Sequence, residues 1–246
     1  MPTKILGVIP ARYASSRFPG KALAPLGGKP LIQHVFERAM QARYLDMVLI
    51  ATDDERIRQV ARSFQAPTRM TRADHVSGTD RAAEAASAFQ ASLVVNIQGD
   101  EPMIDPAAID AAALSLLENP EVPMSTLMKR IEDPEELLDP NVVKVVTGRD
   151  QNAIYFSRCP IPYHRSEPAV HYKHIGLYVY RRDFLLNYSA LPVGPLEKAE
   201  GLEQLRALEN GFPIRVVETE YDSVGVDTPE DLERVSRLFA MAAPRM

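Results

Sequence analysis

The sequence predicts an α/β fold with a mostly parallel central sheet, and three observations carry that expectation. Short runs rich in Val and Ile alternate with segments of helical period along most of the chain. The run Leu93-Val94-Val95-Asn96-Ile97 does not alternate apolar with polar, as a strand covered on both faces should not. The chain of 246 residues, 46% hydrophobic and 25% charged, is long enough for a sizeable core and ordinary in composition for a globular protein.

Taken in order, strands are expected at Lys4 to Pro10, Met47 to Thr52, Ser92 to Ile97, Met124 to Lys129, Val142 to Thr147, Ala153 to Ser157, His174 to Tyr180 and Ile214 to Val217. Between the first two, Leu31, Ile32, Val35, Phe36, Ala39 and Met40 fall on one face of a helix that Gly27 and Gly28 precede. Ser77-Gly78-Thr79-Asp80-Arg81 reads as a loop entering a helix, and Asp105-Pro106 starts another. The last helix opens with Thr228 as N-cap, Pro229 at the first helical position and Asp231 closing a capping-box-like pattern. No repeat or linker divides residues 1–246, so one domain is expected. Its stretch from about 120 to 190, richer in Pro and in closely spaced strands, reads as a β-rich subdomain with antiparallel pairing.

Composition narrows the function classes. A net charge of −5 argues against a nucleic-acid partner. No apolar run approaches the roughly 20 residues that span a bilayer. The apolar stretch Ile5 to Pro10 runs into Arg12 and Arg17 rather than a cleavage site, so a cytoplasmic protein is expected. The single cysteine, Cys159, allows no internal disulfide and no cysteine metal cluster. Charge is unevenly spread: Lys4, Arg12, Arg17, Lys21 and Lys29 precede the first acidic residue, Glu37, a local anion-binding signal in an acidic chain.

That signal peaks in the loop after the first strand, Ala11-Arg12-Tyr13-Ala14-Ser15-Ser16-Arg17-Phe18-Pro19-Gly20-Lys21. Small residues let backbone N–H groups approach an anion, and two arginines and a lysine add donors suited to phosphate oxygens. The loop fits neither the dinucleotide nor the Walker pattern, and its chemistry is also that of a solvated basic turn. Asp100, in Gln98-Gly99-Asp100-Glu101-Pro102, follows a buried strand and so belongs at the ligand-binding edge of the sheet. It reads either as a Mg²⁺ ligand or as a turn residue, and Asp227 either as a second ligand or as part of a helix start.

The segment from Val8 to Lys21 resembles the opening signature of the Kdo (3-deoxy-manno-octulosonate) cytidylyltransferases, relatives of the sialic-acid cytidylyltransferases. Further matching stretches follow in order: Thr71 to His75, Ser77 to Arg81, Val95 to Pro102, Tyr155 to Arg158, His174 to Tyr178, Leu202 to Arg206 and Gly225 to Leu232. The resemblance implies a Rossmann-like nucleotide-diphospho-sugar transferase fold with a β-rich extension used for homodimerisation. It implies transfer of CMP from CTP to the anomeric hydroxyl of Kdo, with release of pyrophosphate, for lipopolysaccharide biosynthesis. Carried over by position, Asp100 and Asp227 hold Mg²⁺. Ala11, Arg12, Ser15, Arg17, Lys21, Arg81 and Gln98 face the nucleotide, with Arg12 and Lys21 acting on the leaving pyrophosphate. Arg158, His174, Glu203 and Gln204 belong to the sugar site. Another acid sugar, such as sialic acid or 8-amino-Kdo, and a nucleotide-binding module without turnover are the competing expectations.

Overall fold

A computed structural model describes residues 4–15, 17–166 and 169–242, so Ser16 of the basic loop lies outside the described residues. Eleven strands and nine α-helices follow one another in these residues. The first half holds β1 (Ile5–Ala11), β2 (Pro25–Leu26), β3 (Lys29–Pro30), α1 (Leu31–Ala39), β4 (Met47–Thr52), α2 (Glu55–Ser63), β5 (Thr68–Met70), α3 (Gly78–Ser87), β6 (Leu93–Asn96) and α4 (Pro106–Glu118). Then come β7 (Met124–Arg130), α5 (Pro134–Leu138), β8 (Lys144–Thr147), β9 (Ala153–Ser157), β10 (Tyr172–Arg181) and α6 (Arg182–Tyr188). The chain closes with α7 (Pro195–Glu200), α8 (Leu205–Glu209), β11 (Ile214–Glu218) and α9 (Pro229–Ala242).

The central sheet runs β11-β7-β10-β6-β1-β4-β5. Its pairs β1–β4, β1–β6, β4–β5 and β7–β11 are parallel, whereas β10 lies antiparallel between β6 and β7. Of the segments between 120 and 190, β7 and β10 are laid into this sheet, while β8 pairs with the start of β10 and with β9 in an antiparallel extension. Apolar cores cover both faces. One packs α1, α2, α4 and α9 residues such as Val35, Ile57, Ala112 and Val235 against Ile9 and Val95. The other packs Ala82, Leu185 and Leu205 of α3, α6 and α8 against Val8 and Val94. This double cover explains why β6 is apolar without alternation.

Local chemistry sets the connections. Gly27 and Gly28, at φ of 55° and 84°, turn β2 into β3 through the left-handed conformations that a two-residue hairpin needs. The α1 face buries Leu31, Ile32, Val35, Phe36 and Ala39, but Met40 falls at the C-cap and is exposed. Ser77 and Asp80 form a reciprocal capping box at α3. Thr228 and Asp231 exchange the same bonds at α9, as the sequence predicts. β1 is flanked by β4 on one side and β6 on the other, so the strand order switches direction there, and a crevice opens beyond the carboxyl ends of these strands.

Candidate active site

Two adjoining cavities occupy that crevice. The first, about 300 Å³, is lined by Ala11, Arg12, Ser15, Arg17 and Lys21 from the loop after β1. His75 to Gly78, together with Arg81, come from the entrance of α3, Gln98 to Asp100 follow β6, and Asp227 precedes α9. All seven residues expected at the nucleotide and both expected at the metal therefore line one cavity. Close approach of the two loops requires Gly99, because a Cβ there would lie 2.7 Å from the backbone carbonyl oxygen of Pro10.

The acidic and basic groups of this cavity meet at Lys21. Its Nζ lies 2.6 Å from Asp100 Oδ2 and 3.0 Å from Asp227 Oδ1, and it also donates to the Val226 carbonyl. Arg17 reaches Asp227 Oδ2 at 2.9 Å from the outside. Burial works against the Lys21 charge, but the facing Asp100 and Asp227 carboxylates outweigh it and raise its pKa above the ordinary 10.5. Lys21 is thus a fixed cation. Arg81 is held from behind, donating to Thr71 Oγ1 and the Arg72 carbonyl and lying 3.3 Å from Asp53.

The same aspartates fit a hard divalent cation. Both offer oxygen, their side chains keep 28% and 45% exposure, and they converge within one ammonium's reach of each other. Among the described residues no group of three or more His, Cys, Asp or Glu could hold an ion unaided, so a cation here would complete its shell with phosphate or water oxygens.

Behind the first cavity, and sharing Gly78 and Gln98 with it, lies a second of about 340 Å³. Its wall includes Asn96, His174, Gly176, Tyr178, Tyr180, Glu203 and Gln204. A break in the β10–β7 register between Ile175 and Val179 releases three carbonyls here. Gln98 Nε2 donates to that of Gly176, and Thr126 Oγ1 lies 3.1 and 2.9 Å from those of Ile175 and Leu177. The Thr126 hydroxyl spends its one proton on a carbonyl, so at 2.9 Å it accepts from His174 Nε2. Enclosure lowers the His174 pKa to about 3, and the neutral ring therefore carries its proton on Nε2 and leaves Nδ1 as an acceptor. Burial likewise pushes the Glu203 carboxyl up, eased by the Thr79 hydroxyl.

Of the four residues expected at the sugar, His174, Glu203 and Gln204 meet in this wall and Arg158 does not. Its guanidinium donates to the carbonyls of Glu200 and Pro140, and its N–H to the Glu200 carboxylate. Asn96, Thr126, Tyr178 and Tyr180 escape sequence reasoning. The tyrosines read as core, and the signal for Asn96 is a lone amide in an apolar strand.

An open sheet with a cationic loop at its switch point, two aspartates answering it and a second polar cavity behind is the plan of an α/β nucleotidyltransferase. A cytidylyltransferase from Leptospira borgpetersenii serovar Hardjo-bovis shares the fold, with a TM-score of 0.66 at 17% identity over 98% of this chain and 88% of that one. A family model described as Cytidylyltransferase matches residues 6–219. The 3-deoxy-manno-octulosonate cytidylyltransferase of Solibacter usitatus (strain Ellin6076) is 69% identical, covering 97% of this chain and 96% of its own. That of Geobacter sulfurreducens (strain ATCC 51573 / DSM 12127 / PCA) is 55% identical over 94% and 97%. A CMP:2-keto-3-deoxy-manno-octonic acid synthetase solved in complex with CTP superposes with a TM-score of 0.95, at 47% identity over 98% of this chain and 100% of that one. The chain belongs to the 3-deoxy-manno-octulosonate cytidylyltransferase family.

Proposed function

We propose that this enzyme transfers CMP from CTP to the anomeric hydroxyl of Kdo, releasing pyrophosphate, in lipopolysaccharide biosynthesis. The observation that carries the reading is the pair of joined cavities, one cationic with two aspartates at its mouth and one lined by neutral hydrogen-bonding groups. A triphosphate suits the first, and a polyhydroxylated acid sugar suits the second.

The reaction is an in-line attack of the sugar oxygen on the α-phosphorus, with pyrophosphate leaving from the opposite side and no covalent enzyme intermediate. Arg12, Arg17 and Lys21 gather the triphosphate and offset the charge that builds on the departing pyrophosphate. Gln98 and Gly78 stand on the wall common to both cavities, where the α-phosphate and the attacking hydroxyl must meet. Lys21 holds Asp100 and Asp227 convergent until substrate arrives. Those two carboxylates would hold Mg²⁺, which when bound supplies Lewis-acid polarisation of the phosphate. His174, neutral and with Nδ1 free, accepts from a sugar hydroxyl and does not serve as a cation for the sugar carboxylate.

The enzyme works as a homodimer in the cytoplasm. Apolar surface on the antiparallel extension, with Ile154 64% and Val170 47% exposed, supports the dimer, and light scattering tests it. The location rests on CTP as substrate, alongside the finding that no described helix is long and apolar enough to cross a membrane.

Pyrophosphate release on mixing the enzyme with CTP, Mg²⁺ and Kdo tests the reaction. Faster turnover with Kdo than with sialic acid or 8-amino-Kdo is expected. Preference for one of the other sugars would reassign the substrate, and absence of release with every sugar would overturn the reading.

A further inference from the structure

Two carboxylates, Asp53 and Asp54, stand where β4 runs into α2, and they do different work. Asp54 caps α2, accepting from the Arg56 N–H at 2.9 Å, and is paired by the Arg56 guanidinium at 2.9 and 2.6 Å. Asp53 meets Arg81 instead: its Oδ1 lies 3.3 Å from Arg81 Nη1, with 4% of the arginine side chain and 20% of the aspartate exposed. The backbone around it is pinned, since the Thr52 carbonyl accepts from the Thr71 N–H at 2.9 Å and Thr52 Oγ1 from the Asp54 N–H at 3.2 Å. Thr71 Oγ1 in turn accepts from Arg81 Nη1 at 2.5 Å.

Among the described residues, every polar contact of the Arg81 guanidinium runs through Nη1, to Thr71 Oγ1, the Arg72 carbonyl and Asp53 Oδ1. Nε and Nη2 make no hydrogen bond there, yet neither is closed off from solvent as Asp53 Oδ1 is. The guanidinium therefore keeps donors in reserve, and the residue lines the first cavity and not the second. An enclosed ion pair does little for a fold, and an apolar pair of similar volume would serve it as well or better. What an apolar pair cannot do is hold a rigid fork of N–H donors at a fixed angle to a ligand.

We propose that Asp53 is a positioning residue for nucleotide binding: as the counter-ion behind Arg81, it sets the guanidinium so that the unused N–H groups meet acceptor atoms of the nucleotide. This rests on the reading of the first cavity as the CTP site. Asp53 is not part of that cavity's wall, so it acts only through Arg81. Its loss should be felt in CTP affinity and not at the sugar.

Calorimetric titration with CTP and Mg²⁺, without sugar, compares wild type with Asp53→Asn, which keeps the shape and removes the carboxylate. The Kd for CTP is expected to rise about tenfold, the scale of one hydrogen bond to a charged group. At saturating CTP, kcat and the KM for Kdo should stay level, the pattern of lost uniform binding. A double-mutant cycle separates this from a structural role: in an Arg81→Met background, the same Asp53→Asn change should weaken CTP binding no further. Asp53→Glu, which keeps the carboxylate and displaces it by one methylene, guards against misfolding of the first variant. It should also raise the Kd, with the circular dichroism of wild type. An unchanged Kd in both Asp53 variants, an equal loss with and without Arg81, or a parallel rise in the sugar KM would overturn the proposal. Wild-type binding of CTP is the control, because its absence sinks the nucleotide reading itself and not the role of Asp53 alone.

Discussion

At Lys21 a single ammonium holds two carboxylates that repel each other, and its raised pKa keeps it charged across any working pH. Lys21→Ala and Asp100→Asn should each lower turnover with CTP and Kdo about a hundredfold, the usual loss for one contact to developing charge. Circular dichroism should show the fold intact, and near-normal turnover in both would remove them from the chemistry. His174 invites a different measurement. Its pKa falls from the ordinary 6.5 to about 3 on burial, so between those values the unfolded chain binds the proton and the folded one does not. Stability therefore drops as pH falls through this window, by about 2 kcal/mol from this one group between pH 7 and 5. Urea unfolding of His174→Gln, which still reaches Thr126 with an N–H, should show a decline shallower by that amount. A wild-type slope in the variant would mean that the imidazole is charged in the fold.

Elements show where the sequence was readable and where it was not. β4 and β9 lie where the runs Met47 to Thr52 and Ala153 to Ser157 predict them, because a short apolar or aromatic run suffices to mark a strand. β5 was not foreseen, since Thr68–Met70 is a three-residue edge with little apolar content. The body of α3 carries alanines and no apolar stripe, so only its capped entrance was legible. The direction of β10 leaves no local trace, because antiparallel and parallel neighbours bury the same side chains. Its two ends do leave one: the charged pair Arg181-Arg182 marks where the strand stops, and Arg181 has work there. Its guanidinium donates to the carbonyls of Leu116, Asn119 and Val122, closing the C-terminal end of α4. Arg181→Met should cost about 2 kcal/mol in urea unfolding with an unchanged slope, and should leave both KM values alone. A kinetic defect would mean that α4 positions the site rather than only bracing the sheet.

For the molecule as a whole, the question is how Asp100, from the middle of the sheet, is held to Asp227, which arrives from beyond its far edge strand β11. The family resemblance implies that both serve one site but carries no information on what joins them, just as it places Arg158 in a motif without giving its direction. The joint is Glu101. Its carboxyl group, whose pKa burial pushes up to about 7, accepts from Tyr221 Oη at 2.9 Å and Ser223 Oγ at 2.6 Å, both on the segment leading to Asp227, while the Val226 N–H donates to the Asp100 carbonyl at 2.9 Å. These bonds fix the segment's path independently of Lys21. Tyr221→Phe or Ser223→Ala removes one donor to a buried carboxyl group, a loss of about 1 to 2 kcal/mol, and loosens only the Asp227 arm. The second cavity, proposed for the sugar, is built from α3, β6 and the loop after it, β10, α6 and the approach to α8, none of which the segment carries. Each variant should therefore lower kcat several-fold and raise the Mg²⁺ concentration needed for half-maximal rate, while the KM for Kdo stays level. Titration of Mg²⁺ at saturating CTP and sugar separates the cases: a parallel rise in the sugar KM would mean that the clamp supports the whole crevice, whereas an unchanged Mg²⁺ requirement would mean that Asp227 needs no clamp to reach its place.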